Sequence, residues 1–90
     1  MVLSTPAWQP RLSRRALLRR DPVRGVDVVL LPERVIKLNP SGAAVLRLCD
    51  GRRTPGDIVA ELQHRYAAPG LDVDVMAFLG DMVEQGVFET

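Results

Sequence analysis

Ninety residues that are 47% apolar and 26% charged, with a formal charge of +1, specify one soluble domain around a single modest core and exclude a disordered chain. No apolar run approaches the ~18 residues of a membrane span, the N-terminus lacks a charged start followed by an apolar block, and one cysteine cannot close an internal disulfide, so a cytoplasmic protein without a secretory signal is expected. The near-neutral total conceals a division: residues 1–37 hold eight basic side chains against three acids, a balance of +5, and residues 38–90 hold four against eight, a balance of −4, so one end should attract anions and the other repel them.

Residues 1–10 contain two prolines and no periodicity, which predicts a loose arm with Trp8 packed on the surface of a domain formed by residues 11–90. Residues 12–20 set the pairs Arg14-Arg15 and Arg19-Arg20 around Ala16-Leu17-Leu18 and read as a first strand with an arginine face. Asp21-Pro22-Val23-Arg24-Gly25 then supplies turn chemistry. Residues 26–31 are β-branched and apolar around a single charge, Asp27, as a central strand should be. Pro32-Glu33 reverses the chain and residues 34–38 return as a third strand, with Arg34, Ile36 and Leu38 on one face and Val35 and Lys37 on the other. Pairing in sequence order would leave this third strand as a sheet edge.

Asn39-Pro40 is a helix start, a capping side chain followed by a residue that needs no hydrogen bond at the first position. Ala43, Ala44, Val45, Leu46, Leu48 and Cys49 make the helix short and nearly all buried until Asp50-Gly51 ends it. Thr54 and Asp57 sit at capping-box spacing, and Ile58, Val59, Leu62 and Tyr66 share the face of a second helix stopped by Pro69-Gly70. A last helix starts near Asp72 or Asp74 and carries Val75, Phe78, Leu79, Met82 and Val83 as one wide stripe. After Gly86, Val87-Phe88 should fold back on the core. The order is a winged-helix-like α+β domain, a three-stranded antiparallel sheet followed by three helices.

Chemistry-bearing motifs are lacking. There is no Ser/His/Asp set, no Gly-rich phosphate loop and no motif-placed pair of carboxylates. Cys49 and His64 have no partner at metal-ligand spacing, so Cys49 reads as packing and His64 as an exposed or capping side chain. Neither an enzyme nor a bound cofactor or metal is expected.

Several of these residues, taken with their joint spacing, resemble the PqqD family, protein D of pyrroloquinoline quinone biosynthesis. They are Arg24-Gly25, Leu30-Leu31-Pro32-Glu33-Arg34-Val35, Leu38-Asn39, Leu46, Leu48-Cys49-Asp50-Gly51, Ile58, Asp74-Val75 and Phe78-Leu79, within a similarity that spans roughly residues 10–88. The resemblance implies a non-catalytic peptide chaperone that binds the ribosomally made precursor peptide PqqA. It would present that peptide to PqqE, a radical SAM enzyme with iron-sulfur clusters that cross-links a Glu and a Tyr of the peptide. The family also typifies the recognition domains of many peptide-modifying pathways, in which the leader peptide adds as a strand beside the third strand and against the third helix. Here the resemblance places those elements at residues 34–38 and 75–82.

Strand addition suits the residues, because an edge offers free N–H and C=O groups to any extended peptide and leaves specificity to side-chain pockets. The expected peptide-binding residues are Arg34, Val35, Ile36, Lys37 and Leu38 on the strand, with Val75, Phe78, Leu79 and Met82 on the helix. Those four helix residues read first as core, the usual use of such a stripe. Arg34 and Lys37 either keep the edge from aggregating or meet acidic groups of the peptide. Arg14, Arg15, Arg19 and Arg20 read as a solvated face or as a docking surface for an acidic partner such as PqqE. A proline at Ile36 is expected to remove an edge donor and weaken peptide binding.

Two other readings stand beside the chaperone. Winged helices often bind nucleic acid, but residues 71–86 hold four acids and no Lys or Arg, which phosphate would repel. The third reading is a structural subunit, a homodimer formed through the same edge or by swapping the N-terminal hairpin.

Overall fold

The computed structural model describes residues 8–89. The chain runs through β1 (Leu17–Asp21), β2 (Val26–Leu30), β3 (Val35–Leu38), α1 (Pro40–Arg47), α2 (Pro55–Tyr66) and α3 (Leu71–Glu84). The strands form one antiparallel sheet in the order β1-β2-β3, so the α+β class and strand order match the expectation.

Local chemistry sets the boundaries. At the β1–β2 turn the Asp21 carboxylate accepts from the amides of Val23 and Arg24, and Gly25 takes the left-handed backbone (φ 70°) that closes it. The Leu31 amide donates to the Arg34 carbonyl at 2.9 Å around Pro32-Glu33. Asn39 caps α1 by accepting from the Gly42 amide at 2.7 Å, with Pro40 at the first helical position. Thr54 and Asp57 form the reciprocal capping box of α2 at 3.1 and 3.0 Å. That helix ends at Tyr66 because Ala67 adopts φ 49°, ahead of the expected stop at Pro69-Gly70.

The first strand differs from its expected span. It begins at Leu17, and Arg14-Arg15 lie in a turn closed by the Ala16 amide on the Ser13 carbonyl (3.0 Å), with the Ser13 hydroxyl accepting from the Arg15 amide. The preceding segment runs between two distant parts of the chain. Pro10 is buried and its carbonyl accepts from the Gly51 amide, Ser13 donates to Val87, and Glu89 donates to Arg11. Trp8, 42% exposed, sits edge-on to Phe88 with ring centroids 5.6 Å apart. The arm expected over residues 1–10 therefore lies outside the described residues for residues 1–7, and over 8–10 it carries these contacts.

The three helices pack on one face of the sheet, where Val29, Leu46, Ile58, Val75, Leu79 and Val87 are almost wholly buried. Val87 and Phe88 return to this core as expected. Asp27 is also buried, and Arg20 on β1 (3.4 Å) and Arg47 on α1 (3.2 Å) compensate its carboxylate. On the opposite face Leu17, Leu30 and Val35 form a row in register, with Leu17 and Val35 exposed.

Candidate functional site

β1 and β3 are both edges, and the hydrogen-bond alternation of an antiparallel pair decides which groups of β3 are free. Leu31 and Arg34 form a hydrogen-bonded pair, so by alternation Ile36 bonds Val29 and Leu38 bonds Asp27. Val35 and Lys37 occupy the intervening positions, so their N–H and C=O groups point outward. The outward side of β3 therefore offers two N–H and two C=O groups within a strand of about 13 Å. This corrects the expected effect of a proline at Ile36: its amide faces β2, and the substitution would break the sheet, leaving the outward donors in place.

α3 runs beside this strand in the opposite direction. Near the start of β3, the Arg34 guanidinium donates to the side-chain oxygen of Gln85 (3.2 Å) and to the Gln85 carbonyl. Past the end of β3, the Phe78 ring lies against Gly42, so closely that a Cβ there would come within 2.8 Å of the ring. Residues 78–85 span about 10 Å of helix, close to the length of β3. The groove between them is crossed by the Arg34–Gln85 pair at one end. Past the end of β3, among α1, α2 and α3, lies a cavity of about 400 Å³ that Asn39, Gly42, Tyr66, Asp74, Phe78 and Asp81 help to line.

Burial divides the residues expected to bind peptide. Val35 and Lys37 are exposed on the outer sheet face, Arg34 is turned toward α3, and Ile36 and Phe78 are half-buried at the groove. Leu38, Val75, Leu79 and Met82 are 7, 2, 1 and 5% exposed and belong to the core, so as placed they shape the groove from beneath and offer little surface of their own. Arg14, Arg15, Arg19 and Arg20 are all exposed, and Arg20 in addition reaches the inner face to meet Asp27. Gly42, Tyr66, Asp81 and Gln85 enter the site without any motif to announce them. The one signal was the charge on α3, where Asp72, Asp74, Asp81 and Glu84 stand with no basic residue.

Cys49 donates its thiol to the Val45 carbonyl at 3.3 Å, and burial, with the neighbouring Asp50 charge, pushes its pKa up to about 12. His64 is exposed on α2. Among the described residues no group of three or more His, Cys, Asp or Glu side chains is placed to hold a metal ion, and no helix is long and apolar enough to cross a membrane.

Comparison with known proteins gives a consistent result. The family profile of coenzyme PQQ synthesis protein D (PqqD) matches residues 27–87. The sequence is 42% identical over 82 residues to the PqqA binding protein of Bradyrhizobium diazoefficiens, covering 89% of this chain and 80% of that protein. It is 47% identical over 77 residues to the PqqA binding protein of Stutzerimonas stutzeri, covering 84% of each. Among solved structures it is similar, with a TM-score of 0.76 and 37% identity over 90% of this chain and 88% of the other, to an NMR structure from Methylobacterium extorquens. That structure is the PqqD truncation of PqqCD, described as a functional, stand-alone recognition element for ribosomally synthesized and post-translationally modified peptides.

Proposed function

The chain belongs to the PqqD family of coenzyme PQQ synthesis, and from that premise we propose that it is a non-catalytic carrier that binds the precursor peptide PqqA by strand addition. The peptide extends the sheet along the outward groups of Val35 and Lys37 and lies in the groove between β3 and α3. The observation that carries this reading is the open edge of β3 running beside α3. β1 is also open, but Arg19 and Arg20 crowd it with charge, a usual guard against unwanted pairing.

In this reading the carrier works in the cytoplasm and hands its peptide to the radical SAM enzyme PqqE. Val35, Lys37, Ile36, Arg34 and Phe78 meet the peptide, above a base formed by Leu38, Val75, Leu79 and Met82. Arg14, Arg15, Arg19 and Arg20 are the cations offered to PqqE, where exposed charge speeds encounter with an acidic partner. The test is an NMR titration of labelled protein with synthetic PqqA. Saturable shifts concentrated on the amides of residues 34–38 and 75–85 are expected. Absence of saturable binding at micromolar protein, with and without PqqE, would refute the proposal.

A further inference from the structure

The cavity beyond the end of β3 has no role in backbone pairing, yet its lining begins at Asn39, the residue that follows the strand, on the line a peptide added to β3 would continue along. Its floor is apolar, with Val45, Leu62 and Val75 at 4, 2 and 2% exposure, and the Phe78 and Tyr66 rings stand at its sides. Asp74 and Asp81 are both exposed at the lining, two helical turns apart on α3, and no Lys, Arg or His joins them. Among the described residues none of the four α3 acids makes an ion pair or a side-chain hydrogen bond, and of these Asp74 and Asp81 alone line the cavity, while Asp72 and Glu84 do not.

Helix electrostatics accounts for only one of the two acids. Asp74 lies in the first turn of α3, where the helix dipole favours a negative charge. Asp81 lies near the C-terminal end, where a negative charge is unfavourable, and no basic residue in the last turn offsets it. Its placement is intelligible if the cation comes from outside.

We propose that this cavity is a specificity subsite for a lysine or arginine side chain of the bound peptide. The aliphatic stem would lie on the apolar floor beside Phe78 and Tyr66, and the cationic head would reach Asp74 and Asp81. Strand addition is tolerant of sequence, so this subsite supplies register: a basic residue at a fixed distance from the paired segment determines which part of the peptide adds to β3. The inference rests on the strand-addition reading above, and its test separates the two.

Calorimetry would compare wild-type protein with the Asp74→Asn/Asp81→Asn double variant. Each is titrated with synthetic PqqA and with the same peptide carrying norleucine for lysine and citrulline for arginine. The double variant should bind the native peptide about fivefold more weakly at low salt, the scale of a partly exposed ion pair. The neutral peptide should bind both proteins alike. Equal affinity of the two proteins for native PqqA, or an equal loss with both peptides, would overturn the subsite. Lys37→Pro, compared with Lys37→Ala, reports on strand addition separately. If it weakens binding while the aspartate variant does not, the edge stands and the subsite falls. If neither changes binding, both readings fall.

Discussion

Replacing Lys37 with proline tests strand addition at one atom. The Lys37 amide points away from β2, so the folded sheet loses no ladder bond when proline removes it, and proline is tolerated at such edge positions. A bound peptide strand, by contrast, loses one N–H donor and meets the proline ring on its own side. One such hydrogen bond contributes about 1 kcal/mol, and the ring adds a comparable obstruction, so binding should weaken by about 1–2 kcal/mol, or about five- to thirtyfold in Kd. Lys37→Ala controls for the lost charge. Calorimetry with PqqA gives the affinity and urea unfolding gives the stability, which should change by less than about 1 kcal/mol. Ile36→Pro is the opposite case: it strips the donor from the Val29 carbonyl inside the sheet and should cost about 1–3 kcal/mol of fold stability. A folded Lys37→Pro protein with the affinity of Lys37→Ala would refute the assignment of outward groups, or strand addition itself.

Other expectations concern the fold around the site. Arg20→Ala/Arg47→Ala leaves the buried Asp27 carboxylate uncompensated and should lower stability by about 1–3 kcal/mol in urea unfolding, discounted for the exposure of both guanidinium groups, with each single variant well below half of this. Cys49 should resist iodoacetamide at pH 8 in the native protein and react on unfolding, because its thiol pKa is pushed up to about 12. The sign of the linkage follows: a thiol held protonated in the fold contributes stability below the ordinary value of 9.0, and this is lost as pH rises from there toward about 12. Gly42→Ala places a Cβ 2.8 Å from Cε1 of the Phe78 ring, which must swing away. Better helix propensity offsets the clash to within about 1 kcal/mol, so stability should hold while PqqA binding weakens, as calorimetry would report.

Much of the architecture was legible because it is written in local chemistry. The Asp21 turn, the Asn39 cap and the Thr54-Asp57 capping box depend on residues at most three apart, and each formed as expected. Periodicity placed Val75, Leu79 and Met82 on one helical stripe but could not divide that stripe between core and groove. The division depends on where β3 and α1 lie relative to α3. The same limit explains the first strand. Arg14-Arg15 sit beside the apolar run Ala16-Leu17-Leu18, yet residues 10–13 are held by hydrogen bonds to Gly51, Val87 and Glu89, which no local pattern foretells.

The sequence by itself determined the elements and their order, because turns, caps and hydrophobic period act over a few residues. Tertiary structure alone decided which amides of β3 face outward, that Arg34 reaches Gln85, and that Asp74 and Asp81 share a cavity with Phe78 and Tyr66. The first rests on the register of one hairpin, which a single backbone bond between Leu31 and Arg34 fixes, and the other two on contact between segments far apart in the chain, set by how the helices stack on one face of the sheet.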